Sequence, residues 1–415
     1  MINRLKNKYR QLAAACFRNS RLRWFGKVLY VPTPWKTQWL KVTDTKAWID
    51  NNSNNQFVYY STMRKLFSAK PQSISEKYPL IYVEKHPTYI ALLHNVEVIP
   101  ASNLLIVDRD NAICDIFAND YQNQYYFFDN GFIGYKHPYT VARYHKAKVD
   151  TYDTGALVSG NYSFNYYHFI IELLPRIIDI DKYVPKDIPL LIDSDMVKYP
   201  QFIELLTYFN INKRPIIKLN KGEKYIIKKL YYPSIRCFIP PNFNNISNIE
   251  VEDNLFDPIA IDGLRNILLP IADNEKSPKR IFLYRNSNIR NFNQDKLFVQ
   301  LQELGFEKVM TDKLSVAQQV NLFSSAQIIV GGTGAAFTNI LFCQTGCKVY
   351  IINAIKNKTI SVFSAIAKYL NVEMINIDNN SAETRNTQQI HADFILNDQT
   401  ISELVNEIKN DIKTS

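Results

Sequence analysis

The chain has 415 residues, of which 46% are hydrophobic and 21% charged, the balance of a folded protein with a large core and, at this length, of more than one domain. No run of 18 or more apolar residues occurs, so no membrane span is expected, and Leu12–Phe17 is too short and wrongly flanked to be the core of a signal peptide, which points to a cytoplasmic protein. The net charge of +10 is confined to one end: residues 1–43 hold ten of the 49 Lys and Arg and none of the 39 Asp and Glu, whereas a nucleic-acid enzyme would carry its bases around its site.

In that basic segment, Leu5, Tyr9, Leu12, Phe17, Leu22, Trp24, Phe25 and Trp35 are interleaved with the cations, a mixture suited to the face of an anionic membrane. The plain alternative is a basic tail that folds back on the body. From Val42 to about Val158 the chain is rich in Tyr, Phe, Val and Ile with frequent Asn and Asp, which predicts short strands, with Asp129-Asn130-Gly131 as a hairpin turn. From Ser159 the rhythm changes to βα alternation: a helix over Tyr166–Tyr183, a strand over Ile188–Ile192, a helix over Tyr199–Phe209, then strands over Pro215–Leu219 and Lys229–Pro233. The polar stretch Pro240–Asn245 reads as a linker. Beyond it come strand Arg280–Tyr284, helix Asp295–Leu304 closed by Gly305, strand Phe306–Met310, helix Ser315–Ser325 with a Ser315-x-x-Gln318 capping box, strand Gln327–Val330, helix Ala335–Phe342 and strand Lys348–Ile352. Two such halves predict parallel sheets facing a cleft, with ligands beyond the carboxyl ends of the strands. The five cysteines read as reduced thiols, Cys343 and Cys347 being buried on either side of Gly346.

Two constellations carry chemistry. In Ile328–Phe342 a β-branched run ends in Gly331, Gly332, Thr333 and Gly334, and helix-forming residues from Ala335 follow, the strand–loop–helix order of an anion site. The dinucleotide fingerprint fails at Phe337 and no Walker lysine follows, so a simple glycine turn is the competing explanation. Arg285 and Arg290 leave a neighbouring strand end and are placed to converge on the same diphosphate. In Asn165-Tyr-Tyr-His168-Phe-Ile-Ile-Glu172-Leu-Leu-Pro-Arg176, the spacing of four sets His168, Glu172 and Arg176 along one face of an apolar helix, with Pro175 bending it. His168 is then either a base oriented by Glu172 or a core histidine paired with it. Asp108-Arg-Asp110 and Asp193-Ser-Asp195 are short triplets of the kind found in metal-dependent transferases, but neither has that pattern around it.

Taken in order, Asn-Tyr-Tyr-His168…Glu172-Leu-Leu-Pro-Arg176, Arg280…Tyr-Arg285…Arg290-Asn and Leu314-Ser-x-x-Gln318…Ile-Ile-Val-Gly…Thr-Gly-Ala335-Ala-x-x-Asn339-x-x-Phe342 resemble glycosyltransferase family 61, over about Ser159 to Asn353. The resemblance implies a GT-B-like pair of Rossmann domains, an inverting reaction and no required metal or cofactor. It also implies a nucleotide-sugar donor, a UDP-sugar foremost, and a glycan or glycolipid acceptor of capsule or lipooligosaccharide assembly. The confined positive charge and interleaved aromatics of residues 1–43 assign them to a membrane-proximal segment holding the protein on the inner face of the membrane. Residues 44–247 form an acceptor-side domain (β-rich over 44–158, Rossmann-like over 159–247), 248–398 a donor-binding domain and 399–415 a terminal helix. His168 and Glu172 are the catalytic pair; Arg285, Arg290, Gly332, Thr333, Gly334, Ala335 and Asn339 bind donor; Asn165, Arg176 and Asn353 are further substrate contacts. Two departures stand out: Thr333 where many members have His, and Asn353 where members often have Glu, which leaves the ribose partner unassigned. A nucleotide-binding scaffold without catalysis is the rival from another class.

Overall fold

The structure, a computed structural model, describes residues 12, 15–16, 22–30, 34–73, 77–85, 87–116, 130–134, 138–239, 250–273, 275–286, 290–354, 361–378 and 393–414. It is a mixed α/β protein that divides into two compact units, Met1–Arg64 with Glu84–Asn248, and Lys65–Val83 with Ile249–Ser415. The expected linker Pro240–Asn245 lies outside the described residues, as does Asp129 of the expected hairpin turn. Gly131, which follows it, has a φ of +73° and leads into a strand.

Along the chain come β1 (Trp35–Asp44), β2 (Gln56–Tyr60), β3 (Arg64–Ala69), β4 (Leu80–Lys85), β5 (Tyr89–Val98), β6 (Leu105–Ile106), β7 (Asn111–Cys114), β8 (Phe132–Gly134), β9 (Tyr139–His145), β10 (Val149–Val158), β11 (Leu190–Asp193), β12 (Ile216–Leu219) and β13 (Lys224–Pro233). In the first unit one sheet runs β12-β11-β10-β13-β5-β6-β7-β1-β9-β8, with β2 also on β5. The strands β12, β11, β10 and β13 are mutually parallel, and β13 meets β5 antiparallel from Tyr225↔Val98 to Pro233↔Ile90. The β-rich and βα stretches, expected as separate parts, therefore share one sheet. Its core gathers Leu93, Val96, Leu105 and Leu157 from one stretch with Leu191 and Ile227 from the other. β13 starts five residues earlier than expected because Lys224, a residue that reads as loop, is buried: its ammonium pairs with Glu97 at 2.8 Å and lies 4.4 Å over the Tyr144 ring.

In the second unit β14 (Arg280–Leu283), β15 (Glu307–Val309), β16 (Ile328–Gly332), β17 (Lys348–Asn353) and β18 (Glu373–Asp378) form an all-parallel sheet in the order β15-β14-β16-β17-β18. The chain builds to one side of β14 first and then returns to build on the other, so the order reverses between β14 and β16, where an open parallel sheet leaves a crevice beyond its strand ends. Helices Gln294–Gln302 and Val316–Ser325 make the crossovers, and Gly305 closes the first at a φ of +78°. The second opens with the expected capping box, Gln318 N–H donating to Ser315 Oγ at 3.1 Å and Ser315 N–H to Gln318 Oε1 at 3.0 Å. Helix Asp398–Thr414 is built into this unit: Leu404, Val405 and Ile408 pack with Phe282, Val330 and Tyr350. The excursion Lys65–Val83, which no pattern in the sequence announced, is stitched to the same unit. Phe67 and Phe256 exchange backbone hydrogen bonds of 2.8 and 2.9 Å, and Phe67 stacks on Tyr369 at 4.6 Å.

Candidate functional site

The helix that carries His168 is continuous but not uniform: Tyr166–His168, a wide π turn over Phe169–Leu173, then Leu174–Tyr183. Pro175 explains the widening. It has no N–H to give, and in a regular helix its ring would press on the carbonyl of Ile171; the Leu174 N–H instead reaches back five residues to Phe169 O. The helix is locked in place from its polar side chains. Asn165 Oδ1 caps it by accepting from Tyr167 N–H at 2.9 Å. Arg176, only 1% exposed, donates to Ser159 O at 2.6 Å and to Asn103 Oδ1 at 3.0 Å. Asp179 takes both arms of the buried Arg236 at 2.6 Å, and Arg214 joins Asp181 at 2.7 Å while serving the carbonyls of Ile180, Val184, Pro185 and Ile188 at the helix end. Asn165 and Arg176, expected as possible substrate contacts, thus have side chains engaged in holding the helix; Arg214 and Arg236, which secure it from outside its own sequence, had no local signal.

On this framework His168 Nδ1 lies 3.1 Å from Glu172 Oε2. The two groups are at ion-pair distance, yet Nδ1 makes no aligned hydrogen bond, and Glu172 Oε1 is buried without a hydrogen-bond partner. A carboxylate beside Nδ1 orients the ring and stabilises the imidazolium, which leaves Nε2 to exchange a proton with a ligand. Buried polar atoms without a protein partner also occur elsewhere among the described residues, Arg176 Nε and Asn353 Oδ1 among them, so this oxygen counts only together with the imidazole beside it, as a place where a water or a ligand completes the bonding.

The two Asp-x-Asp triplets have local explanations. Asp193 accepts from Ala101 N–H at 2.7 Å, Ser159 Oγ–H at 2.6 Å and Gly160 N–H at 3.2 Å, and burial raises its carboxyl above the usual range against the pull of those donors. Asp108 closes a turn by accepting from Asp110 N–H at 2.7 Å and Asn111 N–H at 2.8 Å. Among the described residues no three His, Cys, Asp or Glu side chains gather as metal ligands.

In the second unit, Arg285 follows β14 and the glycine turn follows β16, at the reversal of strand order. Gln294, missed by sequence reasoning, fixes the Arg285 backbone by accepting its N–H at 3.1 Å and donating to its carbonyl at 2.7 Å. The Arg285 side chain then crosses the turn, Nη2 donating to Thr333 O at 2.7 Å, and Arg290 Nη1 reaches the same oxygen at 3.4 Å. Burial, and then the like charge of Arg290, lower Arg285 to about 10, and burial lowers Arg290 as well. Gly334 is needed for this crossing, because a Cβ there would stand 1.9 Å from Arg285 Nη2; a Cβ at Gly332 would meet the Phe292 ring at 2.9 Å. The Thr333 N–H is used within the sheet, donating to Ile352 O at 2.9 Å. The helix at Ala335–Phe342 is present but is of the tighter 3₁₀ kind, with Phe337 N–H bonded to Gly334 O at 3.0 Å. Arg285, Arg290, Gly332, Thr333, Gly334 and Ala335 are thereby brought to one place. Asn339 is fully buried beneath them, donating to Gln319 Oε1 at 2.7 Å, so its side chain braces the neighbouring helix. Asn353 ends β17, 1% exposed, with Nδ2 3.3 Å from Asn376 Oδ1 and Asp378 Oδ1 and with its own Oδ1 lacking a partner.

No curated protein matches the chain. Residues 166–350, from the first turn of the His168 helix to β17, match the model of a family described as Glycosyltransferase 61. The stretch takes in His168, Glu172, both arginines and the glycine turn, and through it the chain carries a domain of glycosyltransferase family 61.

Proposed function

We propose that the chain is an inverting glycosyltransferase that moves a sugar from a nucleotide-sugar donor, a UDP-sugar first among the candidates, to a hydroxyl of a growing bacterial surface polysaccharide or lipooligosaccharide. The observation that carries the donor side is the meeting of Arg285 and Arg290 at the Thr333 carbonyl, beside a glycine turn at the reversal of a parallel sheet. Two guanidiniums held close enough for one to depress the other are held against their own repulsion, an arrangement that a diphosphate relieves. On the acceptor side, His168 Nε2 takes the proton of the attacking hydroxyl with Glu172 at Nδ1. The new bond forms between that oxygen and the anomeric carbon as the bond to the diphosphate oxygen breaks. The electron pair leaves with the nucleoside diphosphate, whose charge the arginines offset, so no metal is required in this scheme.

The protein is proposed to act on the inner face of the cytoplasmic membrane. No described helix is long and apolar enough to cross it. Helix Arg23–Tyr30 instead leaves Trp24 64%, Phe25 39% and Val28 48% exposed, which suits burial at an interface. Trp35, counted by its sequence with that membrane-facing set, packs with Leu29, Trp39 and Ile133 around Val141, so the segment available to the membrane ends before β1.

The test is direct. UDP, GDP and CMP are screened for a rise in melting temperature, and Arg285→Ala is assayed with the nucleotide sugar that supports turnover. A stabilising nucleotide whose effect is lost with Arg285, together with a fall in turnover of about 10²-fold or more, is the expected result. A variant that keeps both would remove Arg285 from the donor site and with it the main support for the reading.

A further inference from the structure

We infer that Tyr162 and Phe164 form an aromatic platform that seats a pyranose ring of the acceptor against His168. The inference rests on the reading of His168 as the acceptor-side base and adds to it the surface that holds the substrate.

The loop between β10 and the His168 helix is unusually constrained from below. Asp193 accepts from Ser159 Oγ–H and Gly160 N–H, Arg176 donates to Ser159 O, and Gly160 is packed so closely that a Cβ would meet Leu173 at 2.8 Å. At its far end Asn165 N–H donates to Tyr162 O at 2.8 Å while Asn165 Oδ1 caps the helix. A loop so fixed would be expected to turn its aromatic residues inward. It does the reverse: Tyr162 is 36% and Phe164 43% exposed, their rings 6.1 Å apart and edge-on. Tyr162 is moreover held at a φ of +58°, a conformation that a bulky side chain rarely adopts and that persists only when its surroundings impose it.

The strain has a visible outcome. It sets the Tyr162 ring 5.1 Å from the His168 imidazole at an angle of 33°, beside the carboxyl whose Oε1 has no partner. Lys221 Nζ lies over the Phe164 ring, 5.7 Å from its centroid, and offers a hydrogen-bond donor above that ring. An exposed, rigid pair of aromatic faces next to unsatisfied polar atoms fits a ligand that is apolar on its faces and hydroxylated at its rim. A pyranose has this character: its axial C–H bonds lie on an aromatic face while its equatorial hydroxyls reach sideways to an acid or base.

Saturation-transfer NMR with methyl β-D-glucopyranoside and methyl β-D-galactopyranoside tests this on the full chain, beside the UDP-induced shift in melting temperature as a separate measure of the donor site. Native protein and Tyr162→Phe are expected to transfer magnetisation to the sugar C–H protons. Tyr162→Ala and Phe164→Ala should each weaken binding about tenfold, the scale of one lost aromatic contact, with the UDP response unchanged in all. Where Tyr162→Ala fails to fold, Phe164→Ala and Tyr162→Phe decide the matter. Equal transfer by native protein and Phe164→Ala, a loss in Tyr162→Phe as large as that in Tyr162→Ala, or no transfer from native protein to either glycoside would each overturn the platform. None of these would touch the donor reading, which fails separately if no nucleotide shifts the melting temperature.

Discussion

Gly334→Ala is the sharpest probe of the donor site, because its effect on fold and its effect on function are expected to separate. Gly334 has a φ of 172°, extended backbone that alanine adopts freely, so the substitution brings no strain of its own. The new Cβ would fall 1.9 Å from Arg285 Nη2 and 3.1 Å from its Cζ, and the long arginine side chain is the part able to move. Displacing it forfeits the 2.7 Å hydrogen bond to Thr333 O, a loss of about 1.5 kcal/mol for a charged donor that can turn to solvent. Removing a glycine's freedom from the unfolded chain returns about 0.4–1 kcal/mol, so the melting temperature should barely change. Catalysis should suffer far more, since losing one preorganised charge-stabilising donor costs about 10²–10³-fold, or roughly 3–4 kcal/mol of barrier. A double-mutant cycle isolates the cause: if alanine at 334 acts by evicting Arg285, it should add almost nothing once Arg285→Ala is present. Initial rates with the nucleotide sugar and melting curves on all four proteins complete the assay. Native turnover by Gly334→Ala, or losses that simply add in the double variant, would refute the reasoning.

His168→Asn should lower turnover by about 10²–10⁴-fold with the nucleotide-induced stabilisation intact, because only proton transfer is lost; a destabilised but fully active variant would make His168 a core residue. Transfer should persist in EDTA, since Asp193 and Asp108 spend their oxygens on backbone and hydroxyl donors; activity lost in chelator and restored by Mg²⁺ or Mn²⁺ would return a metal to the mechanism. Trp24→Ser with Phe25→Ser should reduce binding to vesicles containing anionic lipid, and added salt should weaken the native protein's binding by screening its basic end; equal sedimentation of both proteins with vesicles would show that this helix does not meet the membrane.

What the sequence made legible and what it hid follow from the range of the forces involved. The second unit reads well because a parallel sheet writes its strands as continuous apolar runs and its helices with local punctuation. β16 and β17 are such runs, Ser315 and Gln318 cap one helix, and Gly305 ends another, all within a few residues of the element they define. Features that depend on distant partners were invisible. Lys224 is a strand residue only because Glu97 and Tyr144, far along the chain, receive its ammonium. The union of the β-rich and βα stretches in one sheet lives in the β13–β5 register, to which neither strand points by itself. The candidate site divides along the same line. The spacing of His168 and Glu172 and the position of Arg285 after its strand could be read directly, whereas the side-chain engagements of Arg176, Asn165 and Asn339 could not. A polar residue in an apolar helix looks the same on paper whether it faces a ligand or a backbone carbonyl. Arg176 and His168 share one face of one helix, yet 1% exposure and two hydrogen bonds commit the first to holding the helix, while Glu172 beside the second keeps a buried oxygen without a partner. Which side chains are spent on the scaffold is therefore set by acceptors far along the chain, Ser159 O and Asn103 Oδ1 for Arg176, and only the three-dimensional arrangement reveals them.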